Sequence, residues 1–242
     1  MIFHIALFIA AGIAGAIATV TGFGIGSVLT PLLATSVGTR LAVAAVSIPH
    51  LFATALRFWR LRSYVDRRVL LRFGIPSAAG GLTGALLHNV AANRALAVVF
   101  GLLLVFVGIT ELTGLSRRIR FNDTLAWIAG ALSGFFGGLV GNQGGIRSGA
   151  LLGFDMNKHA FVATATAVGV VVDAARMPAY FATQGKQIID IWPLVLIATV
   201  GAVLGTVFGE RVLRRIPEAT FRRIVASLVL ALGVYMIVAG GD

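Results

Sequence analysis

Apolar residues run along the chain in ten stretches separated by short polar or glycine-rich interruptions. They lie at about 3–20, 24–37, 41–58, 69–88, 94–112, 123–139, 143–153, 159–182, 190–209 and 219–239. Most are continuous Ala, Leu, Val and Gly runs long enough, at ~1.5 Å per residue, to approach a hydrocarbon core of ~30 Å. The second and seventh are too short to cross it comfortably. A transmembrane β-barrel would need alternating strands of ~10 residues, and the continuous runs show none. The pattern predicts an all-α polytopic membrane protein. The opening MIFHIALFIAAGIAGAIATV lacks the basic start of a cleaved leader and runs on into apolar sequence, so it is expected to stay as the first segment.

Composition agrees. Of 242 residues, 58% are apolar, a further 30 are Gly, and only 12% are charged, against roughly 25% in soluble domains. A water-soluble surface could not be covered with so few polar groups. Disorder and a nucleic-acid-binding domain are excluded with it, and the expected surroundings are a lipid bilayer. Cysteine is absent, which removes disulfides and thiolate metal sites. No cofactor or metal is expected.

The net charge of +11 is informative through its placement. Arg60, Arg62, Arg67, Arg68, Arg72, Arg117, Arg118, Arg120, Lys158, Arg211, Arg214, Arg215, Arg222 and Arg223 fall on one side if every crossing is honoured. The other side receives Arg40, Arg94 and Lys186. By the positive-inside rule the first group is cytoplasmic and both termini face outward, as expected in a bacterial cytoplasmic (inner) membrane.

The first half (1–112) would then start outside and end inside. After a cytoplasmic linker (113–122), the second half (123–242) would start inside and end outside. Two inverted repeats of about five helical segments each are therefore expected. At an offset of 119, Gly15, Gly22, Gly26, Leu32, Leu33, Val43, Ala44 and Arg57 meet Gly134, Gly141, Gly145, Leu151, Leu152, Val162, Ala163 and Arg176. Asp66 in YVD and Asp190 in IID open corresponding spans with a small gap. Inverted repeats with broken helices build secondary transporters that hold substrate at the repeat interface.

Each half carries a Gly-rich break after its first helix, TGFGIGS (21–27) and VGNQGGIRSG (140–149). Broken or re-entrant helices there would aim backbone N–H groups and the positive ends of half-helices at one point, an arrangement suited to an anion. Candidate substrate-binding residues are Gly22, Gly24, Gly26, Ser27, Gly141, Asn142, Gln143, Gly144, Gly145, Arg147 and Ser148. Gly12, Gly15, Gly80, Gly81, Gly84, Gly201 and Gly205 read instead as close-packing positions. Arg147 would add a cation to the half-helix end; the competing reading is a side chain reaching the cytoplasmic surface.

A polar stripe accompanies each break. Ser47, His50, Thr54 and Arg57 share one face of the third segment, within an arc of about 80°. The aligned face of the eighth segment carries Thr166, Gly169, Asp173 and Arg176. Such faces point into a bundle or a cavity, and Asp173 and Arg176 can pair at i, i+3. These residues are candidates for the pathway or its gates. Arg57 also fits snorkelling at a cytoplasmic helix end, and His50 fits either a satisfied interior histidine or a proton relay. His88 and His159 lie near segment ends and say little. Trp59, Trp127 and Trp192 fit interfacial anchors.

The duplicated halves, the Gly22–Gly26 and Gly141–Gly145 breaks, and Val65–Asp66 and Ile189–Asp190 before the next span resemble the sulfite exporter TauE/SafE family of bacterial membrane permeases. The resemblance covers nearly the whole chain. It implies transport of sulfite or a related small sulfur-containing or organic anion. TGFGIGS lacks the usual run of three glycines, and Asn142, Gln143 and Arg147 stand where small apolar residues are usual, which makes Arg147 the prime candidate for specificity. The alternatives are a non-transporting membrane subunit, a narrow channel and an intramembrane enzyme. The last has little support: no HExxH occurs, and Ser148 in G-x-x-S-G lacks a clear histidine partner. A homo-oligomer is compatible with all of these readings.

Overall fold

The computed structural model describes residues 2–22, 24–114, 123–142, 144–151, 154, 156–213 and 218–239. These form ten helical segments and, among the described residues, no strand. The first five are α1 (Ile2–Thr21), α2 (Ile25–Val37), α3 (Thr39–Leu61), α4 (Arg67–Val90) and α5 (Asn93–Thr113). The second five are α6 (Asp123–Val140), α7 (Gly144–Leu151), α8 (Lys158–Asp190), α9 (Trp192–Leu213) and α10 (Glu218–Ala239). α4 contains a π-helical turn at Leu70–Gly74. The spans Ile2–Thr19, Thr39–Tyr64, Arg67–Val90, Asn93–Thr110 and His159–Asp190 are long and apolar enough to cross a membrane, and shorter apolar helices accompany them. The chain is a multi-pass α-helical membrane protein.

Local chemistry sets several helix ends. Asp66 accepts from the Val69 amide at 3.1 Å and starts α4; Asn157 accepts from Ala160 at 2.9 Å and starts α8. Both are N-caps that satisfy an otherwise orphaned donor. The eighth segment was expected to end near 182, but α8 continues to Asp190, a 33-residue helix. Apolarity marks only the part of a helix that meets apolar neighbours, and TQGKQII beyond it still carries good helix formers. Asp190 therefore closes α8, whereas Asp66 opens α4.

α1 packs on α9 and α4 on α6; α3 lies against α8, and α5 against α10. α4 also touches α8, as α9 touches α3. Exchanging the first five helices for the second five leaves this set of pairs unchanged. Glycine lets the first two pairs close. A β-carbon on Gly80 or Gly84 would run into the backbone of Ala131 or Phe135, and one on Gly15 or Gly205 into Ala202 or Gly12. The close-packing role expected for these glycines is what the structure shows. Outside the bundle, Phe106, Leu132, Phe208 and Tyr235 face outward, which suits lipid rather than water. Trp59, Trp127 and Trp192 are exposed as well.

A signed contrast tests this packing. Gly84→Ala should lower stability by about 1–3 kcal/mol through overpacking. Gly185→Ala, where the new carbon meets only Phe181 at 3.9 Å, should raise it by roughly 0.5–1 kcal/mol through helix propensity. Thermal unfolding in detergent reads both.

Candidate functional site

α1 and α6 end inside the bundle. The last four carbonyls of a helix have no partner within it, and no lipid or apolar side chain can supply one. At both ends the chain turns through a glycine with positive φ, Gly22 (+81°) and Gly141 (+74°), a conformation that favours glycine. The Gly22 amide returns to the Ala18 carbonyl and the Gly141 amide to Gly137, each at 3.0 Å.

An arginine completes each end. Arg57 of α3 donates through Nη1 to the Ala18 carbonyl, and Arg176 of α8 donates through Nη1 to Gly137. The two bonds join residues in the same relation, 39 positions apart in each half. A cation at a helix C-terminus also meets the negative end of its dipole. Arg57 is 3% exposed, so the snorkelling expected as one reading is replaced by an interior cap. Its Nε donates to Thr166 at 3.0 Å. The α6 end receives two further partners: Tyr180 donates to the Gly138 carbonyl, and Nδ1 of His88 lies 2.7 Å from that of Leu139.

Around Arg176 sits the one carboxylate at the centre of the described residues. Asp173 Oδ1 accepts from Arg176 Nε at 3.0 Å and forms an ion pair with its Nη2 at 2.8 Å. Its Oδ2 lies 2.6 Å from His50 Nδ1 on α3. The pairing expected at i, i+3 is present, and His50 is tied into it from the facing helix.

The reciprocal place is built differently. There Gly169 of α8 faces Thr54 of α3, and the guanidinium of Arg147 occupies the room a side chain at 169 would need. A β-carbon at 169 would lie 2.9 Å from Arg147 Nη1 and 3.2 Å from Thr54 Cγ2. Arg147 is fully buried, which overturns the surface-reaching alternative. Its Nη2 donates to the Gly22 carbonyl at 2.9 Å, joining α7 to the end of α1. Its Nε and Nη1 have no hydrogen-bond partner.

The two breaks touch. A β-carbon on Gly26 would lie 2.5 Å from the Gly141 carbonyl oxygen, and Ser27 donates to Asn142 Oδ1 at 3.3 Å. Gly22, Gly24 and Gly144 are buried here. Besides Arg147, the Asn142 amide nitrogen and the hydroxyls of Thr30, Thr54 and Ser148 lack partners. Of the other expected residues, Ser47 bonds back to its own helix at Ala44 (2.6 Å), and Thr166 likewise reaches Val162 (2.7 Å). Gln143 lies outside the described residues, and of Gly145 only its place in α7 is described. No group of three or more His, Asp or Glu able to hold a metal occurs among the described residues.

Three participants were missed from sequence. His88 was set aside, yet it is fully buried, with Nε2 3.0 Å from the Arg40 carbonyl and its ring against Tyr180. Tyr180 and Gln184 continue the stripe of α8 at intervals of four; Tyr180 lies within the apolar run 159–182 and reads as one of its aromatic residues, and Gln184 lies beyond its end.

The sulfite exporter TauE/SafE family model matches residues 7–236. The chain belongs to this family. It is thereby a member of a family of membrane transporters, and the match extends over almost the full length. No curated protein and no solved structure matches the chain.

Substitutions should separate caps from the unpaired cation. Asp173→Ala strips a buried guanidinium of its carboxylate and should cost about 3–5 kcal/mol. Arg57→Met and Arg176→Met each remove a buried charge-assisted hydrogen bond from a helix-end carbonyl that keeps its glycine amide partner, at about 1.5–3 kcal/mol. Arg147→Met removes an unpaired buried charge and should be the mildest in detergent melts.

Proposed function

We propose that this TauE/SafE family member is a secondary transporter of a small oxyanion, held where the two helix breaks meet. The observation that carries the reading is Arg147, fully buried with Nε and Nη1 unsatisfied. An unpaired guanidinium in an apolar bundle is costly unless something negative joins it. Its neighbours favour the same kind of ligand. The free groups of Asn142, Thr54, Thr30 and Ser148 can all donate, so the complementary ligand offers several acceptors and no obligatory donor. Among the described residues of this centre, Arg57, Arg147 and Arg176 face only Asp173.

The family's name points to sulfite, and a related sulfur-containing or organic anion has the same oxygen-rich chemistry. The short helices α2 and α7 would add the positive ends of their dipoles at Gly24–Ser27 and Gly144–Ser148. Gln143 and Gly145 belong to the same proposed site. Gly22 and Gly141 would set the break geometry, and Ser47, His50, Thr54, Arg57, Thr166, Asp173 and Arg176 would line the two approaches.

The exchange-symmetric helix pairing and the matching Arg57 and Arg176 caps support two repeats, 1–112 and 123–242. With the basic loops inside the cell, these repeats are inverted, and both termini face outward from the cytoplasmic membrane. Rocking of one repeat against the other would then alternate access. Export of a monoanion gains ~2.3 kcal/mol per 100 mV of inside-negative potential, so outward movement needs no proton. Uptake would, and the His50–Asp173 pair is the group placed to carry one.

Flux of radiolabelled sulfite into proteoliposomes tests this. Arg147→Gln should weaken apparent affinity about 10- to 100-fold, the equivalent of losing ~1.5–3 kcal/mol of charge-assisted hydrogen bonding, with the melting temperature little changed. Undiminished flux in Arg147→Gln would remove the residue from the site.

A further inference from the structure

The contacts between α3 and α8 keep one antiparallel register. Arg57 meets Thr166, Thr54 meets Gly169, and His50 meets Asp173. Each step of three or four residues back along α3 is matched by the same step forward along α8. Ten residues beyond His50 on α3 stands Arg40; ten beyond Asp173 on α8 is position 183, beside Gln184. Both lie about 15 Å from the His50–Asp173 pair at 1.5 Å per residue. His88 of α4 ties these two levels together, since its Nε2 meets the Arg40 carbonyl while its ring packs 5.2 Å from that of Tyr180.

Gln184 lies one turn past Tyr180, on the face that carries Asp173, Arg176 and Tyr180 into the bundle. It is 3% exposed, and neither its amide nitrogen nor its amide oxygen has a hydrogen-bond partner. Such a side chain is costly to bury unsatisfied. Arg40 contributes a second orphan at this level: its Nη2 donates to the Ala91 carbonyl, while its buried Nε has no partner. No described carboxylate pairs with either. Lys186, two residues on, is exposed and adds to the positive field.

We infer that Arg40 and Gln184, with His88 and Tyr180 behind them, form a second oxyanion station at the end of the bundle where α3 begins and α8 ends, separate from Arg147. The inference rests on the proposed anion pathway and extends it along the stripe of α8. From Thr166 to Gln184 the stripe covers about 27 Å, close to the ~30 Å hydrocarbon thickness, and beyond the paired Asp173 it carries Arg176, Tyr180 and Gln184 toward this end of the bundle. Arg40 supplies the charge. The Gln184 amide donates to the ligand, and its oxygen accepts from the ligand's hydration water.

The absence of native cysteine allows a direct test. Gln184→Cys and the exposed control Val90→Cys, at the same end of the bundle, are treated in sealed vesicles with membrane-impermeant thiosulfonates of similar size. One reagent carries a sulfonate and the other a quaternary ammonium. Gln184→Cys should label from the same side as Val90→Cys. Its anionic-to-cationic rate ratio, normalised to the control, should be raised at least about fivefold, and Arg40→Gln in the same background should abolish the preference.

No labelling of a Gln184→Cys protein that elutes as the parent does, or a ratio equal to the control, overturns the station. A preference that survives Arg40→Gln overturns it as well. Labelling is read without flux, so the central site can fail in the Arg147→Gln experiment while this station stands, and the reverse.

Discussion

Two helices of this protein stop in the middle of an apolar bundle, and their final carbonyls must be satisfied there. The glycine turns return one amide to each end, Gly22 to Ala18 and Gly141 to Gly137, and the further partners come from side chains elsewhere in the chain. Arg57 and Arg176 supply them to Ala18 and Gly137. Much else follows from this requirement. A guanidinium buried as a helix cap needs its remaining donors placed, which calls Thr166 and Asp173 onto α8 and draws His50 in from α3. The glycine packing of α4 on α6 and α9 on α1 brings these elements close enough to meet.

The interest of the centre lies where this symmetry fails. On one side of the α3–α8 contact, His50 and Asp173 close a salt-bridged cluster that satisfies itself. On the other, the positions are Gly169 and Thr54, and neither can reach across. Arg147 enters that gap from α7 with one bond, to Gly22, and two free nitrogens. An arrangement repeated for stability thus leaves one member open. That openness is difficult to explain by packing alone, because an apolar residue at 147 would be cheaper to bury. It is the kind of local inconsistency that marks functional sites.

Much of the architecture was legible in the chain. Continuous apolar runs locate all ten helical segments, since burial in lipid or protein demands apolar surface over each length. The paired arginines and glycines could be found by a single offset. The polar stripes were visible because 3.6-residue periodicity is a local property. What could not be read depends on partners distant in sequence. Nothing near Arg57 announces the Ala18 carbonyl, and nothing near His88 announces Leu139 and Arg40. Ser47 belongs to the stripe but satisfies its own helix, an outcome spacing cannot distinguish from a ligand. Gln184 was lost because a polar tail was read as the end of a helix.

The central claim is that the free edge of Arg147 holds the anion, and direct observation of a bound ion tests it best. Crystals of the protein soaked with selenite, whose selenium scatters anomalously, would locate a sulfite analogue. A peak within hydrogen-bonding distance of Arg147 Nε or Nη1, absent in Arg147→Gln, is the predicted result. A bound ion that contacts neither nitrogen, or that persists at the same place in Arg147→Gln, would contradict the account.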